Sequence, residues 1–98
     1  MDFGHSDRVK TYLGQIQAFM DAHILPSEPV YAQQVASAPS RWSVPPVMED
    51  LKAKARAQGL WNLFLPESEY GPGLTNLEYA PLCELMGKSP IAPEAFNC

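Results

Sequence analysis

Ninety-eight residues allow one domain at most, and a domain of this size leaves roughly a third of its unfolded-chain surface in water. Hydrophobic residues make up 46% of the chain against 18% charged, with a net charge of −4; that balance leaves apolar surface for a partner and excludes nucleic acid, which needs a stripe of cations to displace phosphate counterions. No apolar run approaches the roughly eighteen residues of a membrane span, Met1 to Lys10 carries no signal-peptide core, and Cys83 and Cys98 lack zinc or disulfide spacing, so the expectation is a cytoplasmic protein with free thiols and no metal.

Val9, Tyr12, Leu13, Ile16, Phe19, Met20 and Ile24 recur at three- and four-residue intervals, which predicts a helix from about Asp7 to Ile24 with one apolar face. Ser6 is placed to cap it, Asp7 sits where the macrodipole favours an anion, and Pro26 is expected to end it. Ser27-Glu28-Pro29 repeats this order of cap, acid and proline, so a second helix is expected from Glu28 to about Ser37, with Val30, Tyr31 and Val35 as a thin apolar face. Ala38 to Ser43 reads as a loop whose Trp42 packs over a neighbouring helix.

Pro45-Pro46 opens a third helix where missing N–H groups cost nothing. Val47, Leu51 and Ala55 form its expected buried stripe, and Lys52, Lys54 and Arg56 its solvated side. Gly59 supplies the left-handed residue after the last turn, and Leu60 folds back on the helix in a Schellman motif. Leu60 to Leu65, stopped by Pro66, is too short for a helix and is expected as a buried extended connector.

Gly71-Pro72-Gly73 precedes a helix start, the usual place of a phosphate-binding loop. Pro72 removes one amide donor, Glu67 and Glu69 repel phosphate, no Lys follows, and the spacing fits neither glycine fingerprint, so a turn is expected. Thr75-Asn76-Leu77-Glu78 spells a capping box, with Leu74 and Tyr79 placed as a hydrophobic staple. The helix it starts runs to about Met86, with a kink expected at Pro81 and an end at Gly87. Ser89-Pro90 starts one more helix. Ala95-Phe96-Asn97-Cys98 carries no Gly, Lys or Pro terminator, so this helix is expected to run on and residues 1 to 98 to be a truncated domain.

The run from Gly59 to Gly87, G-L-W-N-L-F-L-P-E-S-E-Y-G-P-G-L-T-N-L-E-Y-A-P-L-C-E-L-M-G, resembles the N-terminal domain of the acyl-CoA dehydrogenases. In that family a helix ends at Gly, a short apolar segment reaches Pro-Glu, a glycine turn follows, and a helix carrying Glu-Leu comes next. The upstream helices fit the same domain, and the match is most similar to the larger members fused to kinase-like domains in animals. The resemblance implies an all-α bundle of four or five helices in residues 1 to 98. It also implies an FAD flavoprotein of fatty acid metabolism that removes hydrogens from the α and β carbons of an acyl-CoA thioester.

Further implications are reoxidation by electron-transfer flavoprotein, a homo-oligomer, and an FAD bound mainly by domains beyond this chain. No catalytic residue is assigned, and Glu67, Glu78, Glu84 and Glu94 are not drafted into that role. The helix after the Glu-Leu helix helps wall the family's acyl pocket, which makes Pro93, Phe96 and Asn97 the expected substrate-lining residues, Pro93 and Asn97 sharing a face four residues apart. Asn97 there favours an acyl chain with a polar or hydroxylated tail. The rival expectation is a non-enzymatic helical protein-interaction module, suggested by the surplus of apolar residues.

Overall fold

The computed structural model describes residues 6–40, 42–63, 65 and 73–97, and every regular element among them is helical, in line with the all-α expectation. Glu67, Glu69 and the Gly71-Pro72 half of the glycine turn, like Phe64 and Cys98, lie outside the described residues.

The first helix, α1, spans Asp7–Phe19. Ser6 is extended and its Oγ accepts the Val9 N–H at 3.2 Å, satisfying one of the donors that a helix start leaves unpaired. Pro26, however, does not end the helix. The chain passes through a π-helical turn, Met20–Ile24, directly into α2, Leu25–Ala36. The Leu25 N–H reaches back five residues to the Met20 carbonyl, and this widened turn accommodates a proline ring that would clash with a regular turn. Pro26 then stands in the first turn of α2 and Pro29 follows inside it.

Where two helices were expected there is one rod from Asp7 to Ala36. At 1.5 Å per residue its contour is about 45 Å, in a molecule whose longest extent is 53 Å. The radius of gyration of 14.5 Å exceeds the ~13 Å of a compact chain of this length, because α2 projects beyond the core. No residue of α2 is fully buried, and Leu25, Val30 and Val35 are exposed. Trp42 does not cover a helix as expected: it is 79% exposed, on a local turn in which its N–H donates to Ser40 Oγ at 3.2 Å and the Ser43 N–H to the Ser40 carbonyl at 3.0 Å.

Helix α3, Pro46–Ala57, begins after Pro45, and its Val47 N–H donates to Gln34 Oε1 of α2 at 2.9 Å. A side chain from another helix therefore serves as its cap. The buried stripe is Met48, Leu51 and Ala55; Met48 takes the position expected of Val47, since steps of three and four stay on one face where two steps of four drift round it. At the other end Gly59 has φ +73°, its N–H donates to the Arg56 carbonyl at 3.1 Å, and the Leu60 N–H reaches the Ala55 carbonyl at 2.9 Å. These are the two bonds of a Schellman motif, with buried Leu60 folded back as expected.

Helix α4, Asn76–Met86, has the full capping box: Thr75 Oγ1 accepts the Glu78 N–H and Glu78 Oε1 accepts the Thr75 N–H, both at 3.1 Å. Leu74 and Tyr79 both pack against the core. Pro81 lies inside α4, and Gly87 caps it with φ −67° rather than a left-handed angle. Helix α5 is only Ala92–Ala95. Ser89 does not cap it; its Oγ accepts the Ile91 N–H at 3.4 Å in a turn two residues earlier. The helix does not run on either, because Asn97 takes φ 57°. After glycine, Asn is the residue that most readily supplies this left-handed stop.

The core gathers Ile16 and Phe19 of α1, Met20 and Ile24 of the π turn, Leu51 of α3, Leu60 and Leu63 of the connector, Leu82 and Met86 of α4, and Phe96 after α5.

Candidate functional site

The expected site residues lie at the corner where the connector after α3 meets the end of α5. The connector is bent rather than extended. Leu60 and Leu63 are buried, but between them Asn62 adopts φ 60° and its carbonyl accepts the Leu65 N–H at 3.1 Å, closing a turn. Asn readily takes such an angle. Trp61 is half-buried with the Arg56 guanidinium 4.3 Å from its ring centroid, a cation–π contact.

The connector is bonded to the end of α5 twice. The Asn62 N–H donates to the Phe96 carbonyl at 3.2 Å, and Asn97 Nδ2 donates to Asn62 Oδ1. Lys52 of α3 adds an ion pair to Glu94 of α5 at 3.2 Å and a looser one to Glu49 at 3.7 Å; it is not simply solvated.

Of the three expected substrate-lining residues, Phe96 is fully buried with its ring 5.2 Å from that of Phe19. It belongs to the core behind the corner and presents no surface to a ligand here. Pro93 is half-buried and Asn97 is exposed. They do not share a helix face, because α5 ends at Ala95 and Asn97 leaves it in the left-handed conformation.

A second polar cluster ties α1 to α4. Arg8 Nη2 donates to Glu78 Oε1 at 3.0 Å and to the Gly73 carbonyl at 3.1 Å, while Ser6 Oγ donates to Glu78 Oε2 at 3.3 Å. Glu78 therefore completes its own cap and receives the start of α1. The Thr75 backbone N–H, with the Arg8 charge and the Arg8 and Thr75 side-chain bonds, holds its carboxyl below the ordinary carboxylate value against partial desolvation.

Hollows among the described residues include the following. One of about 460 Å³ lies between α1 and α4, lined by Leu13, Gly14, Gln17, Pro81, Glu84, Leu85 and Lys88. Another of about 400 Å³ lies beneath the α2–α3 loop, between Gln34 and Pro46. Neither contains Pro93, Phe96 or Asn97.

Gly73, the described part of the glycine turn, donates its N–H to the Leu65 carbonyl at 3.2 Å, so that amide is not available to a pyrophosphate. No buried side-chain N or O atom among the described residues lacks a partner. Nor do three potential metal-ligating side chains come together among them, and no helix there is long and apolar enough to cross a membrane.

Similarity to known proteins runs along almost the whole chain. No family model matches. The mouse protein named acyl-CoA dehydrogenase family member 10 is 51% identical over 100 residues, covering 97% of this chain and 9% of its own length. The Mycobacterium tuberculosis protein named probable acyl-CoA dehydrogenase FadE2 is 46% identical over 100 residues, covering all of this chain and 24% of its own. A solved structure from Mycobacterium abscessus, assigned to the acyl-CoA dehydrogenases, superposes with a TM-score of 0.84 at 44% identity over 98% of this chain and 26% of that one. In sequence and fold the chain is similar to one helical segment of proteins named acyl-CoA dehydrogenases. It spans between about a tenth and a quarter of the length of these relatives.

Three contributors to these corners escape a reading of the sequence. Arg8 and Gln34 act across 70 and 13 residues, and nothing local marks either. Asn62 did carry a signal: an Asn inside a short apolar run is a turn former.

Proposed function

We propose that this chain is the N-terminal helical part of an FAD-dependent acyl-CoA dehydrogenase that introduces an α,β double bond into an acyl-CoA thioester. The observation that carries the reading is that the Gly59–Gly87 run, with its Schellman glycine, bent connector and capping box, lies within a segment shared in sequence and fold with proteins of that name. When bound, FAD supplies the hydride acceptor. In this reading FAD is held mainly, and the base is supplied, by parts of the enzyme beyond this chain, and the part of these helices is to build a wall and to pack against the rest.

In this reading the corner at the end of α5 forms part of the acyl-pocket wall. Pro93 and Asn97 are its accessible members, and Phe96 anchors it from behind through Phe19. An exposed amide at Asn97 suits an acyl chain with a polar or hydroxylated tail. A cytoplasmic place in fatty acid metabolism, reoxidation by electron-transfer flavoprotein and homo-oligomeric assembly go with the same reading.

The test uses the full-length protein carrying this segment. Purified protein should hold flavin, and an acyl-CoA added without oxygen should bleach its absorbance. A colourless protein that oxidises no acyl-CoA of any chain length would refute the enzyme reading. Asn97→Leu should shift preference towards simple straight chains; an unchanged chain-length and hydroxyl profile would remove the α5 corner from the pocket.

A further inference from the structure

We propose that Asn62 is a positioning residue, one that fixes how the chain leaves α5 and how Asn97 is presented to the acyl chain. This rests on the reading of the α5 corner given above.

Asn62 and Asn97 are the two non-glycine residues with positive φ among the described residues. Each such angle is disfavoured for an L-residue, less for Asn than for most. Each has a local explanation: Asn97 stops α5, and Asn62 turns the connector. Neither turn needs the other. Yet the residues, 35 apart in sequence, are joined side chain to side chain and again by the Asn62 N–H on the Phe96 carbonyl.

The cross-link therefore does something that the two turns do not. Its support is rigid on both sides, because Leu60 and Leu63 bury the connector on either side of Asn62 and Phe96 is locked in the core next to Asn97. Only the orientation of the Asn97 amide is left for the bond to set. With Nδ2 directed at Asn62 Oδ1, the planar amide turns its carbonyl oxygen to the opposite side. An exposed carboxamide otherwise free to rotate is thus held in one presentation, the requirement for a side chain that discriminates between substrates by position.

Three substitutions separate positioning from folding. Asn62→Gly keeps the left-handed angle and loses the acceptor; Asn62→Asp keeps both; Asn62→Ala keeps neither. In the full-length flavoprotein, the ratio of kcat/KM for polar-tailed over plain acyl-CoA of equal length should change by about fivefold in Asn62→Gly and stay within about twofold of the parent in Asn62→Asp. Asn62→Ala should lose thermal stability in addition; if it does not fold, the other two carry the test. An Asn62→Gly enzyme with the parent profile overturns the proposal, as does an Asn62→Asp enzyme that shifts as far as Asn62→Gly. If Asn97→Leu shifts the profile while Asn62→Gly does not, only the positioning role fails. Should both leave it unmoved, the α5 corner is not part of the pocket and the reading beneath the proposal fails as well.

Discussion

At the α1–α4 corner the chain is tied by polar side chains near water: Ser6, Arg8, Thr75 and Glu78 exchange hydrogen bonds of 3.0 to 3.3 Å. The α3–α5 corner also has polar ties, the Lys52–Glu94 ion pair and the Asn97–Asn62 bond, but it adds backbone geometry and burial, through left-handed Gly59, Asn62 and Asn97 and the buried side chains Leu60, Leu63 and Phe96. The first kind of joint responds to pH and salt and is cheap to lose. The second responds to volume and to φ, and its loss is expensive. A wall that must hold its shape beside a substrate is better made of the second kind, and the expected substrate-lining residues lie there.

The sharpest way to break this contrast is Phe96→Ala. Removing a fully buried ring that packs on Phe19 should cost about 3–5 kcal/mol in urea unfolding. A loss below about 1 kcal/mol would mean that burial does not anchor the α3–α5 corner. Next in size is Gly59→Ala. A Cβ built there meets nothing within 4 Å, so the cost is that of placing an L-residue at φ +73°, about 1–2 kcal/mol. An unchanged melting temperature would show that the Schellman turn can relax without consequence.

The same contrast governs what could be read in advance. Joints whose partners are close in sequence were legible: Ser6 on Val9, Thr75 with Glu78, and Gly59 with Leu60 all follow from residue types three or fewer positions apart. A proline and an asparagine break the local rules. Pro26 looks like a stop because a regular α-turn has no room for its ring, but a π turn one step earlier provides that room. Asn97 is a weaker stop signal than Gly, so the sequence predicts a longer α5 than Ala92–Ala95. The pairings that join distant segments, Arg8 to Glu78 and Asn62 to Asn97, leave no periodic trace, so the all-α bundle was readable and the construction of its corners was not.

At the polar corner the effects should be smaller. Thr75→Ala removes the acceptor for the Glu78 N–H and should cost about 1 kcal/mol; an unmoved thermal transition would mean that water replaces the cap at no loss.

The smallest effect is the most specific to this corner. The Glu78 carboxyl is held below its ordinary value of 4.5, first by the Thr75 backbone N–H and then by Arg8. A group whose pKa is depressed by folding stabilises the native state above its unfolded value and loses that contribution as pH falls through its folded value. Unfolding curves of the parent and Glu78→Gln should therefore be furthest apart near neutral pH and converge on acidification below about pH 4.5. Added salt at neutral pH should narrow the gap in the same direction, since Arg8 and Glu78 are both reached by solvent. Gly59→Ala contains no titrating group, so its offset from the parent should stay constant across the same range. If the Glu78→Gln gap held constant as well, ionisation would play no part at this corner, and the polar joint would be a matter of hydrogen-bond geometry alone.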